Sequence, residues 1–337
     1  ISMYQGPVYR VNGEIFLGHP GNVVLPEIPD NLTARPSLIW TIDAERGEQE
    51  IEASYLTNGI SWRADYVITL ARNDEELDLD GWVTLDNQSG ATYSDAKVKL
   101  VAGDVNRVYD EMRGRREFAA KALRSMDEMV MPAEEAFAEF HLYSLPRRTT
   151  IKQNQSKQVA LLGADGIQAR KRYEYRGDVA YYSQKMPPLS DEHVDVFLEF
   201  RNEEQNALGI PLPGGVMRIY QEDSEGMLQF AGEDRIQHTP KDETVRLMMG
   251  QAFDVIGERV QTDYEVLGGN VYESEYRVTL RNHKEQDIVV DIVEPMPSDW
   301  RVLNSSMAFE KRDAHSAVFS VPLEADEEVV VTYRVRV

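Results

Sequence analysis

Apolar and polar residues alternate with a period of two along most of the chain, as expected for half-buried β-strands. The alternation is clearest in six runs: 64–71, 81–87, 96–102, 194–200, 276–282 and 328–337. Turn-forming residues such as Asn58-Gly59 and Pro213-Gly214-Gly215 separate neighbouring runs. The pattern therefore predicts a mainly β protein.

One segment has a helical period instead. In residues 110–131, apolar side chains recur every four residues and would share one helix face: Phe118, Ala122, Met126 and Val130. Pro132 suits the first turn of a second short helix over 132–141. We predict a helical hairpin at about 110–140 that interrupts the β array. Its four methionines either pack the hairpin onto its neighbours or form a pliable surface for a partner: Met112, Met126, Met129 and Met131.

An alternating strand that ends in asparagine occurs three times, at Asn87, Asn202 and Asn282. An asparagine side chain can hydrogen-bond the backbone where the chain leaves a strand and turns. Each copy is followed by a polar turn that leads into another strand, within segments 149–175, 238–264 and 321–335. This repetition predicts three similar β units in tandem.

Short alternating strands in units of this size are typical of two-sheet sandwiches. We therefore predict tandem immunoglobulin-like β-sandwich units with one helical hairpin insertion. Residues 1–50 would be the end of a preceding β region plus a linker. The three units would follow in order: 51–188, which contains the insertion, then 189–268, then 269–337.

Charge and composition exclude several classes of function. The 337 residues include 36 Lys and Arg against 58 Asp and Glu, a formal net charge of −22. Such a charge argues against nucleic acid as a partner, because phosphate backbones require a cationic surface. No apolar run approaches the roughly 20 residues of a membrane-spanning helix. The absence of cysteine excludes disulfides, thiolate metal sites and cysteine nucleophiles.

The first residues, "ISMYQGPVYRVNGE", lack the basic start and apolar centre of a secretory signal. They resemble a strand already under way. We expect the sequence to be a piece of a longer precursor, with any signal and first domain lying outside it.

Several separated motifs together resemble a bacterial family called domain of unknown function 4139, which is related to the C-terminal half of the mucoidy inhibitor A type. They occur in order from about residue 35 onward: "SYLTNGISWRADY", "VTLDNQSGATYSDAKVKLVAGDVNRV", "GIPLPGGVMRIYQED", "FAGEDRIQHTPKDETVRL" and "VEPMPSDW". The resemblance implies an exported protein with a further N-terminal region, and hence a periplasmic or cell-envelope location. It implies no catalytic residues.

Ser61, Arg63 and Asp65 are the first candidate for chemistry. Their i, i+2, i+4 spacing places them on one face of a strand, with Trp62 and Ala64 on the other. A serine nucleophile needs a base within hydrogen-bond reach, and no histidine is close in sequence. We interpret the three residues as the solvent face of a strand that Trp62 anchors.

His238 is the histidine with the most polar surroundings, and none of the six histidines forms a compact metal motif. Four charged residues flank it, and with it they form the candidate ligand-binding set: Glu233, Asp234, Arg235 and Asp242. The set could bind a cation or a polar ligand. It could equally be a turn held by arginine–carboxylate pairs, which we favour. We assign no catalytic residue, metal or cofactor.

Two further motifs have a possible functional meaning, but a simpler explanation is favoured for each. The acidic segment 73–81 could supply oxygen ligands to calcium, but its spacing does not match an EF-hand loop and a solvated turn is favoured. The tripeptide "RGD" at 176–178 matches an adhesion motif that is too short to be specific.

Three functions remain open. The favoured one is a non-enzymatic cell-envelope binding or scaffolding protein, with a protein or glycan as its partner. The second is a hydrolase acting on envelope polysaccharide or peptide, with acidic residues converging between units. The third is an assembly component that docks a partner through the methionine-rich hairpin.

Overall fold

The structure, a computed structural model, describes residues 8–11, 14–17, 41, 48, 50–103, 133–137, 140–145, 147–297 and 299–337. Most of these residues lie in strands, so the prediction of a mainly β protein is confirmed. The only helices within the described ranges are two short 3-10 helices, Val179–Ser183 and Glu204–Asn206.

Among the described residues, three small sheets accompany a large one. They are formed by β1 (Val8–Val11) with β2 (Glu14–Leu17), by β5 (Tyr93–Ala96) with β9 (Thr149–Ile151), and by β6 (Lys99–Ala102) with β8 (Phe140–Ser144) and β7 (Ala133–Phe137).

The prediction of a second helix over 132–141 is wrong. Strand β7 begins at Ala133, and β8 pairs with both β7 and β6. The physical reason is tertiary packing, which overrides local helix preference. Leu142 and Tyr143 of β8 are buried, and the Tyr143 hydroxyl donates a hydrogen bond to the Pro211 carbonyl at 2.6 Å. The predicted first helix, 110–131, lies outside the described residues.

Within the described part of the chain, the large sheet contains thirteen strands. In chain order they are β3 (Ile60–Leu70), β4 (Glu76–Asn87), β10 (Gln155–Arg176), β11 (Leu189–Arg201), β12 (Gly215–Glu222), β13 (Leu228–Ile236), β14 (Thr244–Gly268), β15 (Val271–Asn282), β16 (Ile288–Pro295), β17 (Arg301–Ser305), β18 (Glu310–Asp313), β19 (Ser316–Leu323) and β20 (Glu328–Arg336).

The first part of this sheet curls towards a barrel around one apolar core. Its strand order is β13-β12-β3-β4-β10-β11-β14, and all seven strands contribute buried side chains: Ile236, Ile219, Ile68, Leu79, Leu161, Leu198 and Leu247. The curl brings the edge strand β13 to β14. The Asp234 carboxylate accepts a hydrogen bond from the Met248 backbone N–H at 2.7 Å. Gly232 sits so close to the Met249 carbonyl that a Cβ would overlap it.

The second core lies between two layers of strands. One layer has the order β14-β15-β20-β17, and the other contains the end of β10 with β16, β19 and β18. Rings from β19 and β20, which are not paired with each other, stack across the core: Phe319 and Tyr333 have centroids 5.2 Å apart. Both rings are almost completely buried.

Long strands join the two cores into one continuous scaffold. Strand β10 has 22 residues and β14 has 25. The first half of β14 supplies Val245 and Leu247 to the first core, and Val255 belongs to the second. In β10, Leu161 packs in the first core and Tyr175 in the second. The division of the chain into units 51–188, 189–268 and 269–337 stays a prediction.

The three repeated asparagines make the same set of hydrogen bonds where a strand ends and the chain turns. We call each of these places an asparagine corner. Asn87, Asn202 and Asn282 are at most 1% exposed. Each side-chain amide donates to two or more backbone carbonyls: Ala91, Ile151 and Lys152 for Asn87; Ile210 and Pro240 for Asn202; Gln286 and Glu324 for Asn282. Each side-chain oxygen accepts from a backbone N–H of the loop that follows. The predicted role of these asparagines is confirmed.

Each corner also fastens the start of a partner strand. The turn before that strand contains one non-glycine residue with positive φ: Asn154, Asp242 and Asp326, at 56°, 66° and 55°. The partner strands then pair antiparallel with the strands that end in asparagine, as β4 with β10, β11 with β14, and β15 with β20. The repeated unit is thus an antiparallel strand pair whose end is held by the hydrogen bonds of a buried asparagine.

Candidate functional site

Ser61 and Arg63 of strand β3 are exposed, as predicted, whereas Asp65 is half-buried. Arg63 pairs with Asp65 at 3.4 Å and with Asp86 of the neighbouring strand at 2.7 Å. Trp62 is half-buried and packs against the first core. Exposed pairs of this kind contribute about 0–1 kcal/mol, so this face supports the sheet and offers no catalytic arrangement.

His238 is exposed and takes part in a backbone contact. Its Nδ1 accepts a hydrogen bond from the Gly214 N–H at 3.0 Å, which ties the turn before β12 to the segment after β13. Asp242 forms the left-handed turn position of the second asparagine corner, and its carbonyl accepts a hydrogen bond from Arg201 at 2.9 Å. Both residues therefore fasten turns.

The remaining predicted residues point to other partners. Glu233 pairs with Arg218 on β12 at 3.3 Å, while Asp234 bonds β14 and its own neighbour Arg235. Glu233 and Arg235 are exposed. The structure does not gather the five residues around a common centre, which agrees with the favoured interpretation of a turn.

Acidic side chains of segment 73–81 also form ion pairs and hydrogen bonds with other residues of the protein. Asp74 lies 2.6 Å from the Lys171 amine, and Asp78 accepts a hydrogen bond from the Gly166 N–H at 2.9 Å. Burial raises the pKa of Asp80, and the nearby Asp165 and Asp78 carboxylates add to the effect. Within the described ranges, no group of three or more carboxylate, imidazole or thiol side chains is arranged to hold a metal ion.

A buried ion pair lies inside the second core, and sequence reasoning missed it. The Arg259 guanidinium pairs with the Glu294 carboxylate, which also accepts a hydrogen bond from the Tyr182 hydroxyl at 2.8 Å. Arg259 is 2% exposed and Glu294 is fully buried. The Arg259 guanidinium carbon lies 4.9 Å and 5.3 Å from the ring centroids of Tyr175 and Tyr181, within cation–π range.

The positive charge of Arg259 is maintained in the folded protein. Burial alone would lower the pKa of Arg259, but the adjacent Glu294 carboxylate raises it well above its usual value. Gly177, the middle residue of "RGD", packs directly on Glu294, and a Cβ there would overlap the carboxylate. Asp178 accepts a hydrogen bond from the Ala180 N–H and so caps the first 3-10 helix. The "RGD" match is explained by packing.

A bulge in β14 presents an exposed phenylalanine where the two cores meet. In the antiparallel register, Asp195 of β11 is paired with Gln251 of β14, and His193 of β11 is paired with Ile256 of β14. Four residues of β14, 252–255, therefore stand opposite a single residue of β11. Large bulges of this type redirect side chains and are frequent beside binding sites.

The bulge is anchored on both sides of the phenylalanine. Ala252 and Val255 are buried in the second core, and the Asp254 carbonyl accepts a hydrogen bond from the His283 N–H at 2.7 Å. Between these anchors Phe253 is 87% exposed. The fold thus holds this ring in water.

Two depressions flank the bulge and share Gln251. The first, of about 190 Å³, contains Phe253 itself, and the second has a volume of about 340 Å³. The first is otherwise lined by Lys171, Tyr173, Val196, Ala231, Met249, Gly250, Ala252, Asp254 and Lys284. The second is lined by Tyr175, Arg176, Glu192, His193 and Asp195. We call the bulge and both depressions the junction surface.

The junction surface combines an aromatic ring with charges of both signs. Lys284 lies 5.6 Å from the Tyr173 ring centroid in the first depression. In the second, the Glu192 carboxylate accepts a hydrogen bond from the Tyr175 hydroxyl, and Asp195 accepts one from Gln251 at 3.4 Å. Such a surface can bind an apolar group on Phe253 and polar groups on either side of it.

The chain matches no protein-family profile and no curated protein sequence. No helix among the described residues is long and apolar enough to cross a membrane.

Proposed function

We propose that the protein is a non-enzymatic binding or scaffolding module of the bacterial cell envelope, and that the junction surface recognises its partner. The observation that carries this proposal is the 87% exposure of Phe253 between two buried anchors. A solvent-exposed aromatic ring on a fixed backbone is the kind of anchor that dominates recognition surfaces. The partner would be a protein or a glycan.

The architecture supports a scaffolding role. The junction surface is built from β10, β11 and β14, which also contribute to both cores, so a partner would contact a stiff part of the molecule. The two layers of the second core are in keeping with an immunoglobulin-like sandwich. The resemblance to the family of unknown function 4139 and the periplasmic or cell-envelope location belong to this same proposal.

A hydrolase is the second candidate, because one observation favours it. Glu192, His193 and Asp195 line the same depression, and two carboxylates with an imidazole can act as general acid and base. Two features favour binding instead. Glu192 is already engaged by the Tyr175 hydroxyl, and Asp195 bonds Gln251. The hydrolase predicts turnover of an envelope polysaccharide or peptide that is lost in Glu192→Gln.

The third candidate, an assembly component that docks through residues 110–140, cannot be located on the structure. Most of that hairpin lies outside the described residues, and the part that is described forms strands β7 and β8.

A ligand-dependent melting screen tests the proposal. The protein would be melted with envelope glycans, envelope-derived peptides and divalent cations, since a ligand at 100 times its Kd stabilises the native state by about 2.7 kcal/mol. We expect a rise in Tm with one glycan or peptide class that is absent in Phe253→Ser. Val289→Ser, which alters an apolar residue that is 51% exposed on β16, is the matched control and should keep the response.

The screen has two results that would overturn the proposal. A response that survives in Phe253→Ser would place recognition elsewhere on the protein. Release of cleaved product from any glycan or peptide, abolished by Glu192→Gln, would establish the hydrolase.

A further inference from the structure

The hairpin that joins β14 to β15 has an apolar tip in water. Val266, Leu267 and Val271 are 57%, 46% and 40% exposed. A tight turn over 269–270 connects the two strands. Large apolar side chains concentrated in one exposed place mark an interaction site more often than single ones do. We call residues 264–272 the tip hairpin.

The end of this hairpin extends beyond the strands that flank its base. Strand β11 pairs with β14 only as far as Arg259, and β20 pairs with β15 from Glu273 onward. In the described part of the sheet, residues 266–271 therefore pair only with each other. Neither depression of the junction surface includes a residue of the tip hairpin. The tip is thus a protrusion, and its partner must be a surface that it can enter.

The backbone of the tip keeps its hydrogen-bonding partners when it leaves water. Val266 is paired with Tyr272, and Gly268 with Val271, in antiparallel register. Gly268 and Gly269 have φ of 128° and 58°, which glycine adopts readily and which lets the strands reverse over two residues. Unpaired backbone groups are strongly penalised in lipid, so a tight and fully paired hairpin is suited to enter it.

Tyrosines and ion pairs lie behind the apolar tip. The rings of Tyr264 and Tyr272 stack with centroids 6.1 Å apart. Tyrosine is enriched where membranes meet water, because its ring is apolar and its hydroxyl is polar. The nearest carboxylates, Glu265 and Asp263, both pair with Arg334, at 3.8 Å and 2.8 Å. From the tip inwards, the side chains thus change from aliphatic to tyrosine to ion-paired, as at a membrane surface.

We propose that the tip hairpin enters the surface of a lipid bilayer with zwitterionic headgroups. A fluid bilayer accepts a convex apolar tip because its lipids rearrange around it. Two residues of strand span about 7 Å, which lies within the depth of about 5–10 Å that interfacial elements reach. The tyrosines would lie among the headgroups, and the ion pairs would stay in water. This inference does not depend on the junction surface or its partner.

Charge determines which lipids the hairpin enters. Four carboxylates at its base share two arginines, Arg334 and Arg336: Asp263, Glu265, Glu273 and Glu275. The whole chain has a formal net charge of −22. Anionic lipids therefore repel the protein, and salt weakens that repulsion, because the Debye length falls from about 30 Å at 0.01 M to about 8 Å at 0.15 M.

Flotation of the full chain with phosphatidylcholine vesicles tests the proposal. A single myristoyl chain binds membranes with a constant of about 10⁴ M⁻¹, and three aliphatic side chains bury less apolar surface. We therefore expect weak, reversible binding at millimolar lipid. The double variant Val266→Ser/Leu267→Ser should bind at least tenfold more weakly, since full burial of either side chain contributes about that factor. Asn270→Leu, which removes a polar side chain from the turn, should bind more tightly.

The control is Val289→Ser, which alters an exposed apolar residue of β16 and should bind like the unaltered chain. Circular dichroism would verify that each variant folds. Vesicles with added phosphatidylglycerol should bind less protein at low salt. Absence of flotation at about 10 mM lipid, equal flotation of the double variant, or binding that requires phosphatidylglycerol would overturn the proposal.

A fluorescent label shows which part of the protein enters the lipid. The chain has no cysteine, so Leu267→Cys and Val289→Cys each introduce one thiol for a nitrobenzoxadiazole label. Phosphatidylcholine vesicles should shift the emission of the label at 267 to the blue and leave the label at 289 unchanged. A label at 267 that stays in water, or an equal shift at both positions, would contradict entry through the tip hairpin.

Discussion

The asparagine corner offers the sharpest test of how this fold is held together. In Asn202→Ala, three backbone groups lose their partner at a site that is fully buried. The carbonyls of Ile210 and Pro240 lose donors at 2.7 and 2.8 Å, and the Gly209 N–H loses its acceptor at 3.1 Å. Leaving one buried polar group unpaired costs about 1–3 kcal/mol. Allowing for relaxation and water entry, we expect a loss of about 3–5 kcal/mol in the free energy of unfolding.

Urea unfolding would measure this loss. Trp62 and Trp82 report on the first core by fluorescence, because Trp62 packs against it and Trp82 lies on β4 within its sheet. Asn202→Asp should also destabilise, since a carboxylate lacks the two donors and places negative charge against two carbonyls. Asn270→Ala, at an exposed hairpin tip, is the control and should change stability by less than about 0.5 kcal/mol.

The three corners should contribute equally to the stability of the fold. Asn87→Ala and Asn282→Ala should each cost several kcal/mol, because their bonding patterns repeat that of Asn202. A loss below about 1 kcal/mol at Asn202, or a loss equal to that of Asn270→Ala, would refute the role of the corner.

The remaining predictions concern charged groups on the strands that surround the second core. Glu294→Ala should cost about 3–5 kcal/mol by stranding the buried Arg259 charge, whereas replacing both residues with methionine should cost clearly less; chemical denaturation of the three proteins checks this. Hydrogen bonds from Arg334 lower the pKa of Asp263, and those from Arg336 and Arg334 lower the pKa of Glu273. A carboxyl group whose pKa is lower in the folded state than in the unfolded state stabilises the fold when it is ionised. This contribution to the free energy of unfolding is fully present above the unfolded pKa, near 4, and is lost as the pH falls through the lower folded-state pKa. Arg334→Ala should raise both pKa values towards normal in an NMR titration, and unchanged values would contradict the assignment.

Local patterns predicted the strands and the corners because their causes are local. Period-two alternation follows from one buried sheet face, and an asparagine at a strand end bonds turns that it can reach. The helix predicted over 132–141 failed for the opposite reason. Its alanines and glutamates favour a helix, but pairing between β6, β7 and β8 buries Leu142 and Tyr143 and determines the outcome.

The junction and the buried pair depend on contacts between distant residues. Arg259 and Glu294 are 35 residues apart, and nothing in either local sequence distinguishes them from surface charges. The approach of Gly232 to Met249 likewise joins separate strands, β13 and β14, and completes the curl of the first part of the large sheet. A signal for the bulge was present at 252–256, where apolar residues depart from strict alternation. Only the pairing with β11 shows which of these apolar residues is exposed to solvent.

The junction surface should be rigid, because β10, β11 and β14 continue through it from one core to the other. Native-state hydrogen exchange measures this most directly, on peptides that cover 169–176 and 195–201. We expect protection in these peptides close to that of the core strand β4, and slow exchange in both halves of β14. Fast exchange at 169–176 and 195–201, with both cores still protected, would contradict it, because the cores would then be separate bodies on a loose connection.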